Sequence, residues 1–499
     1  INIETELLKF LNKKLGTNGK CIAVSHARRF GKSHAAGMID AYYSLGSDSS
    51  KLFENTKIAS DPDYEKYRNK YNVIHLDISS VWDYHKEDLI ESIEERVCED
   101  FQKIYGDLLN YKRDFYLLIQ DIYLLTGIPF VIIIDEWDCV IRNSHDQALV
   151  HKYLQFLHSL FKSEESKSFL ALGYITGILP IKKIKDESAL NNFQEYTMLD
   201  SYPITEYYGF TEKEVKDLCK DYSMDFETVK AWYNGYLIDG EHMYNPNSVS
   251  QALERHKIDS YWRNTSAFDT INTFITMNYA GLKDDVMKML TGGKVRINTN
   301  TFQNDFSIIT SKDDALTALI HLGYLGYDAD RKKSFIPNYE VATAFELALQ
   351  TGSWKEIAES ISKCDELLDE TIDGNAERVA ELIELAHETY TSILKYNDEN
   401  VLSCVLTMAY FTAPAYYNVI REMPSGKGFA DFVFLPRANA GNRPAMIIEL
   451  KYNQSAETAL KQIKEKRYQG ALSGYQGKIL LVGINYDSEK HHTCMIEEL

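Results

Sequence analysis

Short, largely apolar runs alternate with helical stretches through the first part of the chain. Cys21–Ser25 is an apolar run entering a turn, and Lys32–Tyr43 reads as a helix. Asn72–Ile78, Phe130–Ile134 and Phe169–Ile175 are runs rich in β-branched and other apolar residues, with the look of buried parallel strands. Strands separated by helices predict a doubly wound parallel α/β sheet over residues 1–203. From Thr205 the texture changes to short helices and turns. Thr211 precedes the acidic first turn of a helix (Glu212, Glu214), while Trp232–Tyr236 and Tyr244-Asn245-Pro246 pair turn residues with aromatics. A helix around Ala315–Leu322, then Gly323-Tyr324 and a hairpin ending at Ile336-Pro337-Asn338, make residues 204–352 a helical, winged-helix-like region. Residues 353–400 read as an acidic helical connector. Residues 401–499 return to mixed α/β: Phe429–Leu435 and Ala445–Leu450 as paired strands, Thr458–Tyr468 as an amphipathic helix, Lys478–Ile484 as a buried strand.

Composition narrows the class. The 499 residues are 44% hydrophobic and 25% charged, so the chain fills several cores and is neither disordered nor fibrous. A net charge of -19 excludes a broadly basic surface and leaves room only for a local basic groove. Seven cysteines stand singly, without CxxC spacing, as reduced thiols do. No apolar run approaches the roughly 18 residues of a membrane span, and Ile1-Asn2-Ile3-Glu4 has no signal-peptide pattern. The expectation is a cytoplasmic protein with no membrane partner.

Ala27-Arg28-Arg29-Phe30-Gly31-Lys32-Ser33 lies between a predicted strand and a predicted helix, the setting of a phosphate-binding loop. There, backbone N–H groups and a helix N-terminus cradle phosphate oxygens, a lysine reaches the β- and γ-phosphates, and a hydroxyl binds Mg²⁺. Arg29, Phe30, Gly31, Lys32 and Ser33 are thus candidate nucleotide-binding residues, with Ser33 also on the metal. Five residues before Gly31, where the strict pattern has its first glycine, this chain has His26. Val131–Ile134 then leads into Asp135-Glu136: Asp135 would hold Mg²⁺ through water and Glu136 polarise the attacking water. Gly-Lys-Ser also begins ordinary helices, and two acids after a strand also make a plain surface pair. Their joint occurrence, in order, favours the nucleotide reading. Thr176, ending the next strand, is a candidate γ-phosphate sensor, with a satisfied strand-end hydroxyl as the alternative.

A second set lies near the carboxyl terminus. Glu449 and Lys451, two apart on a strand, face the same side, and Asp431 approaches them if its strand pairs with theirs. Asp431 and Glu449 would hold one or two Mg²⁺ ions, with the Leu450 carbonyl as a third ligand. The metal lowers the pKa of bound water, and Lys451 positions or activates the nucleophile. Lys461, Lys464, Lys466 and Arg467 give the following helix a positive face suited to a phosphate backbone. A solvated strand edge and a charged solvent face are the bland alternatives.

These segments resemble known families. Arg28–Ser33, Ile134–Asp138, Thr176-Gly177-Ile178, Leu190-Asn191-Asn192, Gly209-Phe210-Thr211, Trp232–Tyr236 and Tyr244-Asn245-Pro246 resemble the bacterial AAA-ATPase-like family. Gly426–Asp431, Ile448–Lys451, Gln462–Tyr468 and Val482–Tyr486 resemble the restriction-endonuclease-like PD-(D/E)XK domain that commonly follows it. The resemblance implies ATP as ligand, Mg²⁺ (or Mn²⁺) as metal, and Asp431, Glu449 and Lys451 as the catalytic set. It adds Gln462 and Tyr468 from a helix signature near such sites, and Glu399 as an extra acid. It implies a mostly prokaryotic, cytosolic setting and is compatible with either defence or mobile-element biology, with DNA as the expected partner in preference to RNA. Three readings stand: an ATP-gated Mg²⁺-dependent deoxyribonuclease, a nucleotide switch whose terminal domain binds nucleic acid or protein without cutting, and an ATPase whose terminal fold builds a homo-oligomer.

Overall fold

The computed structural model describes residues 5–106, 115–144, 146–181, 190–261, 271, 273–274, 279, 281–290, 292–302, 309–351, 363–394, 405–425, 428–437, 440–466, 472, 475–488 and 491–499. The chain splits into two compact units. The first comprises Ile1–Glu214, Gly235–Asn247 and Arg296–Ser334; the second comprises Val215–Asn234, Ser248–Val295 and Phe335–Leu499.

Unit one is built on strands β1 (Cys21–Ser25), β2 (Asn72–Asp77), β3 (Phe130–Asp135), β4 (Leu170–Gly177) and β5 (Gln194–Thr197). They form a parallel sheet in the order β2-β3-β4-β1-β5. Strands β1, β3 and β4 are buried at every residue because both faces are covered, whereas β2 at the sheet edge leaves His75 and Asp77 exposed. Ile132 and Ile134 pack with Ile93, Ile119 and Leu157 on one side. Val131 and Ile133 pack with Leu8, Ile39, Tyr42 and Tyr43 on the other. Two residues read as strand belong to helices instead. Ile78 opens a helix because the Asp77 carboxylate accepts hydrogen bonds from Ser79 N and Ser80 N, and Phe169 closes the helix Glu164–Phe169. Strand order decides the site: β4 lies between β1 and β3, so Thr176 is aligned with Val24 and follows directly on the Ile134–Ile175 pair. The helix α1 (Lys32–Tyr43) starts at the carboxyl end of this sheet, the edge where α/β sheets bind ligands.

The rest of unit one is smaller. Strands β6 (Phe210–Thr211), β7 (Tyr236–Ile238) and β8 (Glu241–Tyr244) pair in the order β6-β8-β7. Thr211 and Glu214 form a reciprocal capping box, Glu214 N to Thr211 Oγ1 at 3.3 Å and Thr211 N to Glu214 Oε2 at 3.0 Å. Strand β9 (Val295–Arg296), helix α2 (Lys312–His321) and the hairpin strands β10 (Gly326–Asp328) and β11 (Lys333–Phe335) give the predicted helix-then-hairpin, with β9 pairing beside β11. Helix α2 is buried at every residue from Asp314 to His321.

Unit two carries helix α3 (Ala376–Leu394) against a sheet of β12 (Tyr417–Ser425), β13 (Gly428–Pro436), β14 (Ala445–Tyr452), β15 (Ile479–Tyr486) and β16 (His492–Glu498), in that order. The pair β14–β15 is parallel and the others antiparallel. Helix α4 (Ala456–Glu465) is capped by Ser455, whose Oγ accepts from Thr458 N at 3.1 Å. It packs Leu460 and Ile463 onto Ile447 and Leu481. Among the described residues no helix is long and apolar enough to cross a membrane.

Candidate functional sites

The phosphate loop leaves β1 as a continuation of the sheet. His26 N donates to Gly177 O at 3.1 Å, and the wholly buried imidazole lies 2.9 Å from Ser201 Oγ through Nε2. Burial, then the charges of Lys32 and His321, push the imidazole pKa down to about 3, so His26 fills the place of the usual glycine as a neutral packed ring. The chain then turns through positive φ at Arg29 (69°) and Gly31 (86°). Gly31 is the N-cap of α1, and no side chain caps that helix, whose first-turn amides therefore suit an anion.

The loop is propped by residues far away in sequence. Phe30 is buried edge-on against Tyr236, with centroids 5.0 Å apart, and Asn245 Nδ2 donates to Arg28 O at 3.4 Å. Gly209, at φ 104°, leaves room for this packing: a Cβ there would sit 3.2 Å from the Phe30 ring and 3.0 Å from Tyr244 O. In the sequence these segments read as turns beside aromatics. Their service to the loop has no local signal.

Opposite the loop stand the β3 acids. Lys32 is 5% exposed and gives Nζ to Ala27 O at 2.8 Å. Burial pushes its pKa down, while Glu136, Asp138 and Asp135 pull it back up. Ser33 is exposed on the first turn of α1. Asp135 is buried and accepts from Glu136 N at 3.0 Å and from the Thr176 hydroxyl, so Thr176 is here a satisfied strand-end hydroxyl. Glu136, at φ 54°, is held by Arg142 at 2.5 Å. The same guanidinium bonds Asp138 at 2.9 Å, and Asp138, fully buried, accepts from Ile178 N and Leu179 N at 3.1 and 2.9 Å. Sequence reasoning misses these roles of Asp138 and Arg142, although an Asp-to-Arg spacing of i,i+4 at a helix start is a legible signal. A cleft of about 930 Å³ opens here, lined by Arg28, Trp82, Lys86, Glu136, Arg142 and Lys152 among others.

In unit two the register places Phe432 opposite Ile448, which brings Asp431 to the level of Glu449. Asp431 Oδ2 accepts from Leu450 N at 2.7 Å and so latches the two strand ends together. Lys451 Nζ lies 3.0 Å from both Glu449 Oε1 and Leu450 O, and Gln462 on α4 donates to Glu449 Oε1. Asp431, Glu449, Leu450, Lys451 and Gln462 thus meet at one point. Glu449 is 2% exposed, and its Oε2 is buried with no hydrogen-bond partner. Burial, then the charge of Asp431, push its pKa up, while Lys451 and Lys466 pull it down. An orphaned, charge-stressed carboxylate oxygen beside a second acid suits a hard divalent cation, which Asp431 and Glu449 would hold. Among the described residues no group of three or more His, Cys, Asp or Glu side chains makes a metal cage.

The positive face of α4 is partly spoken for. Lys461 lies 3.7 Å from Glu465, and Lys464 pairs with Glu497. Arg467, Tyr468 and Glu399 lie outside the described residues. Sequence reasoning also misses Asn485, aligned with Lys451; its Oδ1 accepts from Gln454 N at 2.9 Å and shapes the turn after β14. Gly483, aligned with Glu449, lets α4 descend onto the sheet, because a Cβ there would lie 2.3 Å from Ala456 O. Gly483→Ala is therefore expected to lift α4, draw Gln462 off Glu449 and destabilise the unit by about 1–3 kcal/mol. A thermal melt and the mobility of the Gln462 side-chain amide resonance check it.

Residues 9–185 match the family described as "Predicted AAA-ATPase", and residues 397–496 match the PD-(D/E)XK nuclease superfamily. The chain joins an AAA-ATPase-like domain to a PD-(D/E)XK nuclease-superfamily domain. The phosphate loop and the β3 acids fall within the first match, and Asp431, Glu449, Lys451 and Gln462 within the second. An uncharacterised protein encoded in the vnfD 5' region of Azotobacter chroococcum is 24% identical over 251 residues, 48% of this chain and 46% of that relative, so the match spans about half the relative's length. The Aeropyrum pernix ORC2 structure aligns with a TM-score of 0.29 at 10% identity, over 69% of this chain and 90% of that one. The fold is mixed α/β: a parallel P-loop-type sheet in the AAA-ATPase-like domain and a mixed sheet in the nuclease-like one.

Proposed function

We propose that this chain is an ATP-dependent deoxyribonuclease, its AAA-ATPase-like domain binding or hydrolysing ATP to gate phosphodiester cleavage by the nuclease-like domain. One observation carries the reading: the side chains of Asp431, Lys451 and Gln462, from two strands and a helix, gather around Glu449, whose second oxygen is buried without a partner. A divalent cation, Mg²⁺ or Mn²⁺, held there by Asp431 and Glu449 would supply a water of lowered pKa and offset charge on the phosphate. Lys451 would turn its ammonium from the Leu450 carbonyl toward a scissile phosphate, and Gln462 would keep Glu449 in place. In the first domain the α1 amides and Lys32 would hold the nucleotide phosphates, with Ser33 and Asp135 at its metal and Glu136 on the attacking water.

A switch reading, with nucleotide sensing and no cleavage, is favoured by the ion pair that already engages Glu136 through Arg142. The deciding measurement is cleavage of supercoiled and linear DNA in Mg²⁺ or Mn²⁺, with and without ATP, beside Asp431→Ala. Metal-dependent cutting that disappears in the variant supports the nuclease. Absence of cutting across metals, nucleotides and an added RNA substrate supports the switch.

A further inference from the structure

Apart from His321, whose charge acts on His26, the helix-and-hairpin of unit one takes no part in either site among the described residues. A helix that reads a DNA groove must expose a face of side chains to base edges. Helix α2 does not, because Asp314 through His321 are all buried. The hairpin behind it is different. Its turn, 329–332, is exposed throughout and carries Arg331 and Lys332, with half-buried Lys333 opening β11. Lys332 turns the chain at φ 52°. Its carbonyl accepts from Ile297 N at 3.1 Å, which sets exposed Arg296 on β9 beside the turn. Of the neighbouring acids, Asp328 is buried and accepts from Arg331 N at 3.0 Å, and Asp330 is exposed. Among the described residues none of the four cations is in an ion pair.

We propose that this hairpin tip, with Arg296, Arg331, Lys332 and Lys333, is a docking surface for the phosphate backbone of duplex DNA, separate from the carboxylate site; this rests on the reading of DNA as the protein's partner. Four neighbouring cations on a chain of net charge -19 form a local patch of the sign that phosphate needs. A two-stranded ribbon fits the major groove of B-form DNA and not the deep, narrow one of A-form RNA. The turn Ala329–Lys332 has no aromatic or large aliphatic residue to anchor in a lipid surface, which argues against a membrane as its partner.

The test is fluorescence anisotropy of the full chain with a 30-bp DNA duplex in EDTA, titrated from low to moderate salt, for wild type and Arg331→Gln/Lys332→Gln/Lys333→Gln. Each phosphate contact contributes about 0.9 to the slope of log K against log salt, so the triple variant is expected to lose about 2–3 in slope and to bind at least about tenfold more weakly at low salt. Lys103→Gln/Lys167→Gln removes exposed cations already paired with Asp100 and Glu164 and is expected to leave the slope in place. A triple variant with the wild-type slope overturns the proposal. So does a wild type that binds double-stranded RNA or phosphatidylserine vesicles in preference to the duplex, or that binds none of the three. The nuclease reading is judged separately, by cleavage at saturating DNA: if the hairpin alone fails, wild type and the triple variant cut equally and Asp431→Ala does not.

Discussion

Glu449→Gln is expected to reduce DNA cleavage by at least about a thousandfold while making the nuclease-like unit more stable at neutral pH. The loss follows from removing the charge that would bind a cation, an effect of several kcal/mol on a phosphoryl transition state. The gain follows from linkage. Burial and the neighbouring Asp431 raise the Glu449 pKa in the folded protein above its unfolded value of about 4.3. A carboxyl with a raised folded pKa contributes stability below the unfolded value and loses it as pH rises through the folded one, so at pH 7–8 the ionised side chain is a cost. Glutamine keeps an oxygen to accept from Lys451 and Gln462 and carries no charge. Melts at pH 4 and pH 8 are expected to differ little from wild type at the lower pH and to show a raised midpoint at the higher. Added Mg²⁺ is expected to raise the midpoint of wild type and not of the variant. A variant that still cuts, or that gains no stability at pH 8, contradicts this account.

The second large effect is structural. Asp138→Ala is expected to destabilise the AAA-ATPase-like unit by about 3–5 kcal/mol, because it strips one of two carboxylates from a buried guanidinium and leaves the Ile178 and Leu179 amides without their acceptor. Asp138 is 0% exposed and accepts from Arg142, Ile178 N and Leu179 N, fastening the helix start after β3 to the end of β4. For a unit of this size the midpoint is expected to fall by about 10 °C. Asp138→Asn keeps an acceptor and is expected to fall by less. Calorimetry of the two variants separates this from a nucleotide-contact role: loss of ATP binding at an unchanged midpoint would show that Asp138 acts at the nucleotide and not in the fold.

Much of the fold and of both sites is legible in the amino-acid sequence. Buried parallel strands need continuous apolar runs, and Val131–Ile134 and Ile479–Ile484 can be placed because that requirement is local. Gly31-Lys32-Ser33 and Glu449-Leu450-Lys451 are legible for the same reason, since a helix start or a two-residue strand repeat fixes which groups lie side by side. The pairing of β13 with β14 follows from the same apolar patterns.

What stays hidden depends on strand order and close approach, which hydrophobic periodicity does not encode. Thr176 meets Asp135 only because β4 lies between β1 and β3. Asn245 reaches Arg28 across more than two hundred residues of chain. Gln462 reaches Glu449 because Gly483 presents no side chain under α4. The sequence by itself determined which elements form and which chemical groups stand at their ends, since those follow from periodicity and local backbone preference. Tertiary structure alone decided which of those groups meet, because one carboxylate in water resembles another until packing removes the water and assigns each oxygen a donor.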